Sequence, residues 1–128
     1  MAEDTLARAL KSRRQISITV TGRRSGRSIK LPVWFVFEDN KLWLLPVYGS
    51  ETQWYRNLLA HPAITIQVGG ESRTLRARAV REAGAVSKVV RGFREKYTPE
   101  QIARWYSSQD VTVEVAIQSI ARRSARTA

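Results

Sequence analysis

Two alternating strand patterns on either side of a short basic loop constrain the fold more than any other feature of the chain. Ile16, Ile18 and Val20 alternate with small polar residues, which predicts a half-buried strand of β-branched residues. The alternation resumes after the loop at Ile29, Leu31, Val33, Phe35 and Phe37. Pro32 lies within this second run and cannot donate to a strand ladder, so it predicts an edge, a bulge or a position where no strand lies alongside.

The loop between these runs is rich in arginine and glycine. Its sequence is Thr21-Gly22-Arg23-Arg24-Ser25-Gly26-Arg27, and Lys30 follows shortly after. Guanidinium groups match phosphate and carboxylate in shape and charge, so the loop could bind an anion. A solvated hairpin tip explains the same residues equally well.

The rest of the chain predicts a small, mostly antiparallel β-barrel with six strands and helices packed on its openings. Helices are predicted over residues 3–13 (within an N-terminal helical segment 1–14), 51–60, 83–97 and from Thr98-Pro99 onward. Ser50 and Gln53 have the spacing of a capping box for the second helix. Further strands are predicted over residues 41–47, 64–68, 71–79 and 111–117, with a Gly69-Gly70 hairpin turn.

Composition places the chain in the class of compact globular proteins. Its 128 residues suit one domain, 1–128, and 43% of them are hydrophobic. The formal charge of +11 indicates an anionic partner, although residues 121–128 are expected to be an exposed, disordered basic tail. Cysteine is absent, no apolar run reaches the ~20 residues of a membrane span, and no secretory signal is visible, so a cytoplasmic location is expected.

No set of residues in the sequence forms a self-sufficient catalytic centre. The chain has one histidine, His61, which is expected to end a helix, and no cluster with metal-ligand spacing. No metal site is therefore predicted. If the protein is an enzyme, its difficult chemistry has to come from a bound cofactor.

Two further groups could hold such a cofactor. The segment Leu45-Pro46-Val47-Tyr48-Gly49-Ser50 leads from a strand into a helix, where backbone N–H groups can meet an anion or a ring carbonyl. An ordinary capped helix is the simpler interpretation. Trp34, Trp54, Tyr55 and Asn57 could form the floor of a flat-ring pocket, or they could be aromatic core packing.

Taken together and in this order, these motifs resemble the deazaflavin-dependent nitroreductase family of the flavin/deazaflavin oxidoreductase superfamily. The motifs are Thr21-Gly22-Arg23-Arg24-Ser25-Gly26, Leu31-Pro32-Val33-Trp34, Tyr48-Gly49-Ser50 and Trp54-Tyr55-Arg56-Asn57-Leu58. The resemblance implies an FMN-binding split barrel-like fold, as in pyridoxamine phosphate oxidases. It also implies coenzyme F-420, a hydride carrier with a phosphate and an oligoglutamate tail, and a nitro, quinone or enone acceptor.

The resemblance assigns roles to individual positions of this chain. The residues that would meet the phosphate or the tail are Arg23, Arg24, Ser25 and Gly26. Those that would border or pack the ring are Pro32, Trp34, Trp54 and Asn57. Backbone groups would come from Val47, Tyr48 and Gly49, and the substrate pocket would include Trp34, Tyr97 and Tyr106. No catalytic residue is assigned.

One departure from the family pattern keeps other functions open. Better-known members have Lys-Gly-Gly where this chain has Tyr48-Gly49-Ser50, so a phosphate partner is missing. The alternatives are an FMN-binding split-barrel protein, a flat-ligand carrier without turnover, and a nucleic-acid-binding β-barrel. The clustering of the aromatics with Pro32 and Asn57 argues against nucleic acid. A homodimer is expected by analogy with split barrels.

Overall fold

The computed structural model describes residues 5–117, which form a seven-stranded antiparallel sheet surrounded by four α-helices. The strands are β1 (Ile16–Thr21), β2 (Ser28–Val33), β3 (Val36–Glu38), β4 (Lys41–Leu44), β5 (Ala63–Val68), β6 (Glu71–Val80) and β7 (Thr112–Ala116). The α-helices are α1 (Thr5–Lys11), α2 (Gln53–Ala60), α3 (Ala83–Lys96) and α4 (Pro99–Trp105), and a 3-10 helix spans Gly49–Glu51.

The order of the strands explains why the sheet curls into a split barrel. It is β2-β1-β5-β6-β7-β4-β3, so the two edge strands, β2 and β3, are consecutive in the chain. Only Trp34 and Phe35 separate them, and the sheet must therefore bend until its edges meet at these residues. The predicted antiparallel split barrel is confirmed, with seven strands where six were expected. Pro32 lies in an edge strand, as one of its three interpretations required.

The additional strand arises because the run 29–37 is interrupted at Phe35. The backbone N–H of Phe35 donates to the Tyr97 hydroxyl at 3.0 Å, and its carbonyl accepts from the Lys96 ammonium at 2.9 Å. Side chains at the end of α3 thus replace strand partners for this residue. The alternating pattern could not reveal the break, because Phe35 is as apolar as the residues that precede and follow it in the pattern. Its side chain is fully buried, whereas Leu31, Val33 and Phe37 are only partly buried.

The interior of the barrel is the larger of two hydrophobic clusters. β1 contributes Ile16, Ile18 and Val20, and α1 covers one end with Leu6 and Leu10. The helix expected over residues 3–13 is present as Thr5–Lys11. Residues 1–4 and the expected tail 121–128 lie outside the residues that the structure describes.

Two local predictions next to the barrel were wrong. The strand expected over residues 41–47 ends at Leu44, and the Val47 carbonyl instead accepts from the Ser107 N–H at 3.0 Å. The Ser50–Gln53 capping box does not form. Thr52 is the N-cap of α2, which begins at Gln53, and the Ser50 hydroxyl donates to Asp110 at 2.7 Å.

Candidate cofactor and substrate site

An open cavity of about 580 Å³ lies where the end of β2, the end of β4, α2 and α4 meet. Its lining residues are Gln15, Leu31, Pro32, Val33, Trp34, Leu45, Val47, Trp54, Trp105 and Tyr106. Ligand pockets in proteins usually measure roughly 300–1,000 Å³ and are mostly apolar, with few polar groups. The cavity has this size and character, and its three indole side chains suit a flat ring.

Trp34 forms a wall of the cavity whose orientation is fixed from behind by Tyr97. The two rings are stacked, with centroids 4.4 Å apart and an interplanar angle of 7°. The Tyr97 hydroxyl donates to the Arg14 carbonyl at 2.7 Å and accepts from the Phe35 N–H at 3.0 Å. Tyr97, expected at the substrate pocket, therefore lies behind Trp34 and supports it.

Tyr106 is the one phenol that lines the cavity. Its ring centroid lies 6.2 Å from that of Trp34 and 5.8 Å from that of Phe93. Burial, followed by the neighbouring Tyr97, raises the pKa of the Tyr106 hydroxyl, so it keeps its proton at neutral pH. Within residues 5–117 this hydroxyl has no hydrogen-bond partner, which leaves the proton available to a ligand in the cavity.

The basic loop is attached to α2 through Arg23. The Arg23 backbone N–H and its guanidinium both donate to the Asn57 side-chain oxygen, at 3.1 and 2.7 Å, and the guanidinium also donates to Gln53 at 2.9 Å. Asn57 is buried, so these bonds fix the loop beside the helix that carries Trp54. The loop is thus positioned next to the cavity, and Arg23 and Asn57 are its anchor.

The other two arginines of the loop do not anchor it to α2. Arg24 and Arg27 are exposed, and in the described part of the chain neither guanidinium forms a hydrogen bond or an ion pair. The Ser25 hydroxyl accepts from the Arg27 N–H at 3.1 Å, and Gly26 has a positive φ of 71°, so these two residues shape the turn. β2 rises about 3.3 Å per residue, which puts roughly 13 Å between Ser28 and Pro32. The free guanidinium groups therefore suit the anionic end of a ligand whose ring lies in the cavity.

Two of the three N–H groups expected to face a cofactor, those of Tyr48 and Gly49, already have internal acceptors. The Tyr48 N–H donates to the Thr52 hydroxyl at 2.8 Å, and the Gly49 N–H donates to the Pro46 carbonyl at 3.1 Å. Val47 lines the cavity, whereas Tyr48 is 62% exposed. A ligand could thus accept from the Tyr48 or Gly49 N–H only if these internal bonds were broken.

Sequence reasoning missed Trp105 as a site residue. It lines the cavity and remains 57% exposed, which is unusual for a tryptophan next to an apolar pocket. The signal was present, since Trp105 precedes Tyr106 at the end of a helix with a clear Thr98-Pro99 start.

Two kinds of feature are absent from residues 5–117. They contain no group of three or more His, Cys, Asp or Glu side chains that could hold a metal ion. None of the helices in this range is long and apolar enough to cross a membrane. His61 is the C-cap residue of α2.

The fold is shared with solved structures of low sequence identity. An F420-H2 dependent reductase is 22% identical with a TM-score of 0.64, over 80% of this chain and 94% of that chain. A conserved hypothetical protein of Mycobacterium tuberculosis is 20% identical with a TM-score of 0.73, over 93% and 82%. A Listeria innocua protein provisionally named pyridoxamine 5′-phosphate oxidase is 9% identical with a TM-score of 0.67, over 89% and 91%. These likenesses establish the split-barrel fold, and no curated protein matches the sequence.

The family assignment comes from the sequence. A family model described as F420H(2)-dependent quinone reductase matches residues 2–118, which include the basic loop and every residue that lines the cavity. The match supports coenzyme F-420 as the cofactor. An apolar cavity with a flanking pair of free guanidinium groups fits a molecule that joins a flat ring to an anionic tail. The chain belongs to the F420H(2)-dependent quinone reductase family.

Proposed function

We propose that the protein transfers a hydride from reduced coenzyme F-420 to a small quinone, with nitro and enone compounds as alternative acceptors. The observation that carries the proposal is the single cavity wall formed by Trp34 and Tyr106, which combines a flat apolar surface with a protonated hydroxyl. The family match names both the hydride donor and the acceptor class.

The side chains around the cavity would bind and orient the two reactants. Trp34 and Trp54 pack against flat rings, and the surrounding aliphatic residues exclude water. Arg24 and Arg27 bind the phosphate or carboxylates of the coenzyme, while Arg23 keeps the loop on α2. The bound coenzyme supplies the hydride.

Tyr106 would supply the proton that the acceptor needs. A quinone that receives a hydride at one carbonyl oxygen or ring position requires one proton to become the hydroquinone. The Tyr106 O–H donates that proton and regains one from water, and its raised pKa keeps it protonated before the reaction.

A side-by-side titration with oxidised coenzyme F-420 and FMN tests the proposed function. We expect coenzyme F-420 fluorescence to be quenched with a roughly micromolar Kd. Firm FMN binding without binding of coenzyme F-420 would overturn the proposal and favour the FMN-binding alternative. Coenzyme binding without turnover of any quinone, nitro or enone acceptor would leave a ligand carrier.

The basic loop can be tested with variants that remove equal charge. Arg24→Ala combined with Arg27→Ala should weaken coenzyme binding by roughly 10-fold or more, since each lost charge-assisted bond contributes about 1.5–3 kcal/mol. The matched control is Arg91→Ala with Arg94→Ala, two exposed arginines on α3. Equal Kd values for the two double variants would show that the loop is a solvated hairpin tip. Arg23→Ala should also release the loop from α2.

A homodimer and a cytoplasmic location stay predictions. Size-exclusion chromatography with light scattering measures the first.

A further inference from the structure

Two walls of the cavity belong to segments that are joined by hydrogen bonds outside the cavity. Leu45 and Val47 line it from the segment that follows β4, and Trp105 and Tyr106 line it from the end of α4. Each segment continues past the cavity, residues 47–50 in the first case and 107–110 in the second. We call these paired segments the latch.

The latch consists of several contacts between residues about 60 positions apart. The Ser107 N–H donates to the Val47 carbonyl at 3.0 Å, and Tyr48 and Ser108 form an isolated parallel bridge. At the far end, both Asp110 carboxylate oxygens are used. One accepts from the Ser50 N–H at 3.0 Å, and the other accepts from the Ser50 hydroxyl at 2.7 Å.

Gly49 lets the two segments approach this closely. Its φ is +58°, a conformation that side chains rarely adopt, and a Cβ at this position would collide with the Asp110 and Ser108 side chains. The glycine that the family motif contains here is therefore explained in this chain by the latch, since the Gly49 N–H already donates to Pro46.

Asp110 is well suited to hold the latch although it is exposed. The Ser50 hydroxyl bond is the largest cause that lowers the pKa of the Asp110 carboxyl, and Arg81 adds a smaller effect of the same sign. The carboxylate is thus charged at neutral pH, when both bonds are charge-assisted. Neither Asp110 nor Ser50 lines the cavity, so both act on it only through the segments they join.

We propose that Asp110 and Ser50 are positioning residues that fix the distance between the two cavity walls, and that this distance makes the cavity selective for flat acceptors. The effect on acceptor selection rests on the proposed function. The effect on the walls themselves does not, and it can be measured in the protein without any ligand.

Amide hydrogen exchange of the ligand-free protein tests the latch directly. In Asp110→Ala we expect the amides of Ser50 and Ser107 both to exchange roughly 10-fold faster or more, because the wall segments separate. Ser50→Ala should also increase the exchange rates of these amides. The double variant should exchange little faster than Asp110→Ala alone, since both substitutions break the same pair. Faster exchange at Ser50 alone, with Ser107 unchanged, would overturn the proposal because the bond would then be merely local.

The matched control removes a negative charge from the neighbouring helix without touching the latch. Glu100 is exposed on α4, and Glu100→Ala should leave both amides as protected as in the parent protein. Asp110→Glu, which retains the carboxylate, should restore part of the protection. If Glu100→Ala has the same effect as Asp110→Ala, general charge on this surface is responsible and the proposal fails.

Steady-state kinetics then test the consequence for acceptors. For a flat naphthoquinone, Asp110→Ala should raise KM by roughly 10-fold while kcat changes less than about twofold. The ratio of kcat/KM for a bulky non-planar quinone to kcat/KM for the flat one should therefore increase. Equal changes for both acceptors would overturn the selectivity. If the parent protein binds no coenzyme F-420, the proposed function fails, whereas the exchange experiment still decides whether the latch positions the walls.

Discussion

The protein has two hydrophobic clusters that differ in what their residues can do besides exclude water. The barrel interior is mostly aliphatic, with fully buried residues such as Ile18, Ile64 and Ile66. The second cluster lies among α3, α4 and the hairpin of β3 and β4, and it contains Phe93, Tyr97 and Tyr106. Trp34 and Val47 pack against this second cluster and also line the cavity.

The two clusters differ in how strongly their contacts depend on the orientation of the side chains. Aliphatic burial stabilises the fold in proportion to area and has little orientation dependence. Aromatic rings and phenol hydroxyls have preferred geometries, and the Tyr97 hydroxyl, held by Arg14 and Phe35, fixes the plane in which Trp34 stacks. The barrel interior therefore mainly determines whether the protein folds, although its Trp54 also lines the cavity, and the aromatic cluster fixes the orientation of Trp34 there.

The largest effect on stability is expected in the barrel interior. Ile66→Ala should lower the free energy of unfolding by about 2–5 kcal/mol, because a fully buried side chain leaves a cavity. Ile66→Val should cost only about 0.5–1.5 kcal/mol. Urea denaturation measures both. Folded Ile66→Ala protein should keep its coenzyme Kd, and a selective loss of affinity without destabilisation would contradict the separation of the two clusters.

Tyr106→Phe should affect turnover strongly and stability little. Loss of a general acid typically lowers the rate by roughly 100-fold or more, and this hydroxyl has no partner within residues 5–117 whose bond would be broken. Stopped-flow kinetics measure the effect on hydride transfer, and the urea midpoint measures the effect on stability. An unchanged rate would show that the acceptor takes its proton from water.

Trp34→Ala should weaken ligand binding by up to roughly 10-fold, since a stacked ring contributes about 0.5–1.5 kcal/mol. Trp43→Ala is the matched control, because Trp43 also packs against the aromatic cluster but does not line the cavity. Fluorescence titration with coenzyme F-420 compares the two variants. If both lose the same affinity, the cluster contributes only general stability and Trp34 is not a ring contact.

The smallest effect concerns Lys96, whose ammonium lies 3.4 Å from the centroid of the Phe35 ring. Burial, followed by the nearby Arg14, lowers the pKa of Lys96 from 10.5 to about 8. Between pH 8 and 10.5 the unfolded chain then binds a proton that the folded chain does not. The contribution of this group to the free energy of unfolding therefore rises with pH across that window, and it is lost as pH falls from 10.5 to 8.

Lys96→Met should flatten this rise. The measurement is the difference between urea midpoints at pH 7.5 and pH 10, and Lys88→Met, an exposed lysine on the same helix, is the control. Identical slopes in the two variants would show that Lys96 is not responsible.

The sequence alone determined the elements whose signals are local. Alternation of β-branched residues predicted β1, the Gly69-Gly70 turn joined β5 to β6, and the Thr98 hydroxyl accepts from the Gln101 N–H as its spacing required. The family motifs also identified Trp34 and Trp54, which the structure brings together in one cavity. These predictions succeeded because each depends on a periodicity or a spacing of a few residues.

Tertiary structure decided what distant partners control. The break at Phe35 requires Tyr97 and Lys96, which lie more than 60 positions away. Ser50 was expected to cap a helix, but its hydroxyl donates to Asp110 instead. The three loop arginines cannot be distinguished in the sequence, yet among them only the Arg23 guanidinium donates hydrogen bonds to Asn57 and Gln53. The physical reason is that the curled sheet and the packing of α2, α3 and α4 select which polar groups meet. Local patterning specifies the elements but carries no information about those distant partners.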